Sequence, residues 1–225
     1  MKMFQKTLAV AIVAGAPMAA SALEVSGNVT MATDYVFRGF SQTSEKGAIQ
    51  GGFDVDFGNG FYVGTWASNV DFGSEVTTEM DFYGGYAFDI TDTVSLDLTA
   101  IQFIYPGDES ALNYEEYVAT LGISDFSFGV VYSPEYFGEG GPDAYVLNAD
   151  YSLGLTETTS LDFHLGYSDA DEKDFFGEDD SYIDYMVGFN YDVAGVTLTL
   201  AWYGTDIDDN ELADDRAVFS VSKSL

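Results

Sequence analysis

From residue 24 onward, apolar and polar residues alternate with a period of two, and this periodicity limits the possible folds more than any other feature. In one stretch, for example, Val196, Leu198 and Leu200 are separated by threonines. Such alternation is typical of β-strands with one apolar and one polar face. We predict twelve strands, at residues 24–38, 48–57, 61–70, 78–89, 94–105, 114–123, 126–133, 144–153, 159–168, 182–192, 196–204 and 215–225.

The connections between these strands alternate between short and long. The short ones are 58–60, 90–93, 124–125, 154–158 and 193–195, and the long, acidic ones are 39–47, 71–77, 106–113, 134–143, 169–181 and 205–214. This rhythm places turns on one rim of a barrel and loops on the other. We therefore predict an all-β fold: an up-and-down antiparallel transmembrane β-barrel of about 12 strands. Its short turns are periplasmic and its longer acidic loops extracellular. A soluble β-sandwich or soluble barrel, which would also alternate, is the alternative.

Aromatic residues of one strand phase occur near both ends of the predicted strands. Two aromatic girdles around an apolar band are typical of a membrane barrel, whereas a sandwich needs no aromatics at both ends. The predicted girdle residues are Phe37, Phe57, Phe61, Phe88, Phe126, Tyr132, Tyr151, Tyr167, Tyr191 and Trp202.

The opposite phase of the strands is rich in carboxylates. Rings of Asp and Glu make a pore cation-selective, so these residues predict an acidic lumen that prefers cations. Twelve strands predict a narrow lumen, between that of filled eight-stranded barrels and that of open porins. The predicted lumen-lining residues are Asp34, Arg38, Asp54, Asp56, Glu79, Asp81, Asp97, Asp150, Asp162, His164 and Asp184. A plugged barrel with a structural or interaction role stays open as an alternative.

The balance of charge restricts the partners. The chain has 38 acidic and 7 basic residues, and two of the basic ones, Lys2 and Lys6, lie at the very start. This excess of negative charge opposes binding to nucleic acid and favours small cationic or neutral solutes, with divalent cations bound weakly at acidic loops. The chain has no cysteine, which excludes thiolate metal sites and disulfides. We predict no resident metal and no cofactor.

Residues 1–22 have the pattern of a secretory signal peptide. Two lysines precede a short apolar stretch, and Ala20-Ser21-Ala22 forms a small-residue cleavage site. The apolar stretch is too short to span a bilayer. We predict a cleaved leader at 1–22 and a single β-barrel domain at 23–225, located in the outer membrane of a Gram-negative bacterium and contacting its lipid.

His164 is the only histidine and therefore the only candidate for a histidine-based catalytic site. A barrel hydrolase would need a nucleophilic serine beside it, and Ser160 and Ser168 have the right strand phase. This spacing does not match a known barrel-hydrolase motif. We predict a polar lumen histidine and no enzymatic activity, with a barrel hydrolase as the least favoured alternative.

Three ordered segments of the N-terminal half resemble a known family. Residues 34–42 read DYVFRGFSQ, residues 48–54 read AIQGGFD, and residues 60–70 read GFYVGTWASNV. In this order they resemble the TorF family of porin-like proteins, formerly grouped as conserved bacterial outer-membrane proteins of unknown function. The resemblance covers about residues 24–125. It implies an outer-membrane barrel, and with it a channel for passive diffusion of ions or small solutes.

Overall fold

The computed structural model describes residues 23–107, 111–177 and 179–225, and the predicted leader lies outside this part of the chain. The fold is a closed antiparallel barrel of twelve strands, which confirms the predicted class. A separate two-stranded hairpin, β2 and β3, lies between the first two barrel strands. The strands are β1 Glu24–Ala32, β2 Val36–Phe37, β3 Phe40–Ser41, β4 Ala48–Asp56, β5 Phe61–Asn69, β6 Thr78–Thr91, β7 Val94–Ile104, β8 Tyr114–Ile123, β9 Phe126–Ser133, β10 Ala144–Gly154, β11 Thr159–Ala170, β12 Ser181–Val193, β13 Val196–Thr205 and β14 Arg216–Ser224.

The barrel closes through its first and last strands. Strand β1 pairs with β14 on one side and with β4 on the other, so that Asn28 lies opposite both Ser224 and Gly52. Closure leaves no barrel strand without a neighbour on each side, and a sheet in lipid requires such closure. Among the described residues, no helix has the length and apolar character needed to span a bilayer.

The period of two in the sequence becomes the two faces of the barrel wall. Large apolar side chains on the outer face are exposed, as Ile49, Phe53 and Leu165 illustrate. The alternate residues of the same strands point into the lumen and are mostly buried. Polar residues such as Gln50 and Ser68 belong to this buried face. The wall is therefore apolar outside, and its inner face carries buried polar side chains together with buried apolar ones.

The two rims differ as the connection lengths predict. At the short-turn rim, Ala194 and Gly195 have φ values of 53° and 80°, which is the pair of positive angles that a two-residue type I′ hairpin requires. The long connections crowd the other rim, where a short 3-10 helix, Glu211–Ala213, lies in the last of them. The described ends of the chain, at β1 and β14, lie on the short-turn side.

The first strand is shorter than predicted, because β1 ends at Ala32 instead of residue 38. Residues 33–47, which we call the plug segment, leave the wall and fold back into the lumen as the β2–β3 hairpin. The turn of this hairpin is Arg38-Gly39, with φ values of 49° and 83°. Two successive left-handed residues reverse the chain at the tip of the hairpin. Residues 34–38 therefore belong to the inner hairpin and not to the barrel wall.

Candidate functional site in the barrel lumen

The plug segment crosses the lumen near the long-loop rim. Its tip approaches the wall so closely that a Cβ on Gly39 would lie 2.2 Å from Thr205 Cγ2 and 3.2 Å from Asp184 Cβ. Only glycine fits at this tip, for reasons of both space and its positive φ. The Tyr182 hydroxyl on β12 donates a hydrogen bond to the Arg38 carbonyl oxygen at 3.0 Å. The tip is therefore fixed against β12 and β13.

The Arg38 side chain extends from the tip to another part of the wall, at β8. Its guanidinium forms a bidentate ion pair with Glu116, with Nη–Oε distances of 2.7 and 2.9 Å. It also donates to the Tyr136 hydroxyl at 3.0 Å and lies against the Phe37 and Tyr136 rings. Burial raises the pKa of the Tyr136 phenol, which keeps that loop residue neutral. Arg38 therefore joins the plug segment to the strands opposite its tip.

Two further anchors hold the plug segment through carboxylates. Glu79 on β6 accepts hydrogen bonds from the hydroxyls of Tyr35 and Tyr105, at 2.7 and 2.6 Å. Asp34 accepts hydrogen bonds from the Ser41 and Thr43 hydroxyls, both at 2.7 Å. A buried carboxylate with such partners keeps its hydrogen bonds without water.

Arg216 on β14 completes the second anchor, because its Nη1 lies 3.2 Å from Asp34 Oδ2. Arg216 and Asp34 are both largely buried. The plug segment is thus tied to strands on several sides of the barrel.

Aromatic side chains fill the space around the plug segment. Phe103 and Tyr114 stack at 4.3 Å between ring centroids, and Phe40 meets Tyr182 edge-on at 5.4 Å. The buried cluster contains Val70, Val76, Ile101, Phe103, Tyr105, Tyr114, Tyr136, Ala144, Ala170, Phe176 and Tyr182. This packing occupies the space around the plug segment on the long-loop side of the lumen.

Between the plug segment and the short-turn rim, the lumen is more polar than it is around the plug segment. A cavity of about 80 Å³ lies against the inner faces of β12 and β13, with Asn190 and Thr199 in its lining. Near the short-turn rim, Asp97 accepts hydrogen bonds from Tyr62 at 2.8 Å and Thr99 at 2.6 Å. Asp97 is therefore held by neutral hydroxyl donors.

His164 lies between two carboxylates. Its Nδ1 is 2.7 Å from Asp150 Oδ1 and its Nε2 is 2.9 Å from Asp184 Oδ2. Both ring nitrogens are therefore directed at acids, and neither has a serine partner among the described contacts. Ser160, one of the two serines with the right phase, accepts a hydrogen bond from Asn190 instead. The geometry of a serine hydrolase is not assembled here.

The remaining predicted lumen residues are distributed along the inner wall. Asp54 accepts a hydrogen bond from Tyr83, and Asp162 accepts from Ser152 at 2.6 Å. Asp81 is buried, and its Oδ1 has no hydrogen-bond partner among the described residues. Asp56 lies at the very end of β4, where it accepts from the backbone of the following turn at 2.6 Å. These carboxylates do not form one compact site.

Nine of the ten predicted girdle aromatics lie on the outer face, and Phe37 does not. Its ring lies 6.1 Å from that of Phe103, inside the barrel. The placement of Phe37 outside was wrong because the chain leaves the barrel wall after Ala32, so the strand phase of β1 no longer applies to this residue. The outward nine are Phe57, Phe61, Phe88, Phe126, Tyr132, Tyr151, Tyr167, Tyr191 and Trp202. Their role at a membrane interface stays a prediction.

Glu116, Tyr136 and Arg216 are among the lumen residues that were not predicted from the sequence. Glu116 and Arg216 have the inward phase of their strands, so the alternation itself could have identified them. Tyr136 lies in the connection 134–143, where no periodicity indicates its direction.

In the described part of the chain, no group of three or more His, Asp or Glu side chains is arranged to hold a metal ion. Weak binding of divalent cations at the loops stays a prediction.

Comparison with known proteins agrees with this architecture. The model of a family described as a bacterial protein of unknown function (Gcw_chp) matches residues 16–225. The KdgM porin, solved in complex with disordered oligogalacturonate, superposes with a TM-score of 0.55 and 11% identity, over 89% of this chain and 98% of its own. The NanC porin gives a TM-score of 0.56 and 9% identity, over 87% and 97%.

These identities are low, so the structural likeness shows the fold alone. Comparison with curated proteins gives no significant sequence match. The family match does not carry the name TorF, which therefore stays a prediction.

Proposed function

Because this chain belongs to the Gcw_chp family, whose function is unknown, and has a porin-like barrel, we propose that it is an outer-membrane channel for passive diffusion. The solutes are ions or small molecules, with a preference for cations. The protein is not an enzyme in this proposal, since the two nitrogens of its single histidine are both directed at carboxylates.

The outer-membrane location is supported by the outer wall. Exposed apolar residues cover it along the strands, with aromatics such as Phe61 near the short-turn rim and Trp202 near the long-loop rim. A closed barrel with this pattern satisfies every requirement of a sheet in lipid. The predicted leader at residues 1–22 agrees with export to this location.

The excess of carboxylates on the inner wall carries the proposed selectivity. Arg38 and Arg216 are the only arginines of the chain, and both are already paired with acids. Carboxylates such as Asp54 and Asp97, in contrast, are held by hydroxyl groups, which do not neutralise their charge. A lumen with this balance attracts cations and repels anions.

The proposed charge of the lumen also predicts a class of solute different from the ligand of one structural neighbour. Oligogalacturonate, the ligand of the KdgM structure, is an acidic sugar oligomer. An inner wall with unneutralised carboxylates would repel such a ligand. Small cationic or neutral solutes are therefore the proposed cargo.

A plugged barrel with a structural or interaction role is the second candidate, and the plug segment favours it. Arg38, Tyr35 and Asp34 fasten that segment to three different parts of the wall, and aromatic rings fill the space around it. The two candidates differ in one measurable property, because a plugged structural barrel does not conduct.

Reversal potentials in planar bilayers under a salt gradient test the channel. We expect a cation preference that weakens at high salt, because the Debye length falls from about 10 Å at 0.1 M to about 3 Å at 1 M. Replacing Asp54, Asp81 and Asp97 together by Asn should reduce the preference. The matched control removes the same number of carboxyl groups from the exposed loops, by replacing Asp208, Asp209 and Asp214 by Asn. Preference for anions would contradict the proposed lumen.

A further inference from the structure

The pocket around the Arg38 guanidinium has the composition of a ligand site. Glu116 contributes both carboxylate oxygens, at 2.7 and 2.9 Å, and Tyr136 contributes its hydroxyl at 3.0 Å. The guanidinium carbon lies 4.5 Å from the centroid of the Phe37 ring and 5.5 Å from that of Tyr136. A planar cation is thus held by a two-point ion pair and by aromatic rings, the combination that suits a guanidinium best.

The pocket and its occupant belong to different parts of the fold. Glu116 is on β8 of the wall, and Tyr136 is in the connection between β9 and β10. Arg38 and the Phe37 ring, in contrast, belong to the plug segment, and no barrel strand pairs with that hairpin. The wall would keep its complete ladder of hydrogen bonds if the tip withdrew. Glu116, with 2% of its side chain exposed, would then be a buried carboxylate without a cation.

We propose that the Glu116–Tyr136 pocket is a binding site for the guanidinium group of a solute, and that Arg38 is its intramolecular occupant. This inference rests on the proposed channel and names a class of solute for it. A solute guanidinium replaces the Arg38 guanidinium on Glu116, so the buried carboxylate keeps a partner while the tip of the plug segment is released. Because one guanidinium group replaces another, the Glu116 carboxylate is never left buried and unpaired, which would be destabilising.

The geometry selects guanidinium over ammonium. An ammonium is a compact point charge that cannot make two parallel bonds to one carboxylate and stacks less well on aromatic rings. Competition with a tethered group also limits the affinity, because a tethered side chain acts at an effective concentration in the millimolar range. A free solute therefore binds the wild-type protein weakly and binds a protein without the Arg38 side chain more tightly.

The test uses methylguanidinium as the probe and methylammonium as its control, each titrated into the full mature protein in detergent. Trp66 reports on the plug segment because its ring lies 5.3 Å from that of Tyr35, and a Trp202→Phe background removes the other tryptophan. We expect Arg38→Ala to bind methylguanidinium saturably, at least tenfold more tightly than the wild type and at least tenfold more tightly than it binds methylammonium. Adding Glu116→Gln should abolish this binding.

Two more variants keep the test decisive. Lys173→Ala removes an exposed loop cation and should titrate like the wild type. Should Arg38→Ala fail to fold, Arg38→Lys keeps the charge but loses the two-point pair, and should bind methylguanidinium more tightly than the wild type by a smaller factor. Equal affinity for the two probes, or no saturable binding by either folded Arg38 variant, would overturn the inference.

Conductance separates this inference from the proposed function. If the wild type conducts and no folded Arg38 variant binds methylguanidinium, the inference fails and the channel stands. If the Arg38→Ala variant binds with the expected selectivity while no variant conducts, the site stands and the channel fails.

Discussion

The two halves of the lumen differ in how some of their carboxylates are held. On the long-loop side, Glu116 and Asp34 are paired with buried arginines of opposite charge, although Glu79 is held by tyrosine hydroxyls. On the short-turn side, Asp97 and Asp162 are held by hydroxyl and amide donors. Ion pairs in a buried site are neutral overall and depend on both partners, whereas neutral donors leave the negative charge in place. In the proposed channel, the loop half would therefore control access and the turn half would provide the charge.

Removal of the plug segment should have the largest effect, an increase in conductance, because it removes the difference between the two halves of the lumen. We expect a variant in which residues 35–41 are replaced by a short Gly-Ser link to fold as a barrel, since β1 and β4 pair directly with each other. Its conductance in planar bilayers should exceed that of the wild type severalfold, with the cation preference retained. A matched control replaces 206–210, in another long connection, by a Gly-Ser link of equal length. Unchanged conductance in the folded variant would show that the lumen is not closed by this segment.

Breaking a single ion pair should have the next largest effect, a decrease in the free energy of unfolding. Arg38→Ala leaves Glu116 as an uncompensated buried charge, and such losses cost about 3–5 kcal/mol. Asp162→Asn keeps an acceptor for its neutral donors and should cost about 1 kcal/mol or less. Urea unfolding in lipid vesicles measures both, with Lys173→Ala as the surface control. Equal losses for Arg38→Ala and Asp162→Asn would remove the proposed distinction between the halves.

The barrel wall could be predicted from the sequence because each of its properties is local. Period-two alternation sets the two faces, and turn length sets the rim, so strands such as β5 and β9 were predicted at or within a residue of their observed ends. The same alternation places Asp97 and Asp162 on the inner face. These predictions required no knowledge of which strands meet.

The plug could not be predicted in this way, because its contacts are distant along the chain. Residues 34–38 alternate as a strand does, and only the pairing of Arg38 with Glu116, 78 residues away, shows that the chain turns inward. The segment DYVFRGFSQ that carries the family resemblance is the segment that forms this plug. Its specific residues have a physical role that periodicity does not reveal: a turn glycine, a buried arginine and a carboxylate with hydroxyl partners.

Gly39 offers a smaller test of how tightly the tip meets the wall. Gly39→Ala would place a Cβ 2.2 Å from Thr205 Cγ2 at a positive φ of 83°, whereas Gly140 has a similar φ of 79° with nothing within 4 Å of its Cβ. Both substitutions carry the cost of a left-handed alanine, about 1–2 kcal/mol. Only Gly39→Ala adds overpacking, so it should be less stable than Gly140→Ala by roughly 1 kcal/mol or more in urea unfolding. Equal stabilities would mean that the tip does not press on β13.

The smallest expected effect concerns the exposed end of the plug segment, where Lys46 Nζ lies 2.6 Å from Asp71 Oδ2. The hydrogen bond and charge of Lys46, together with the Gly73 backbone N–H, lower the pKa of Asp71 below its ordinary 3.8. A lowered pKa means that the folded state favours the ionised carboxylate. The pair therefore contributes stability above about pH 4, and this contribution is lost as the pH falls through the lowered pKa.

Comparing the wild type with Lys46→Gln from pH 7 down to pH 2 isolates this contribution. The wild type should be slightly more stable at pH 7, and the difference should shrink below pH 4, because Asp71 then loses its charge in both proteins. It should also shrink at high salt, since an exposed pair is screened. The Arg38–Glu116 pair of the wild type is buried, so at pH 7 the stability deficit of Arg38→Ala relative to the wild type should persist at high salt. A deficit for Lys46→Gln that resists salt as strongly would contradict the assignment of this end of the plug segment to the solvent-exposed surface.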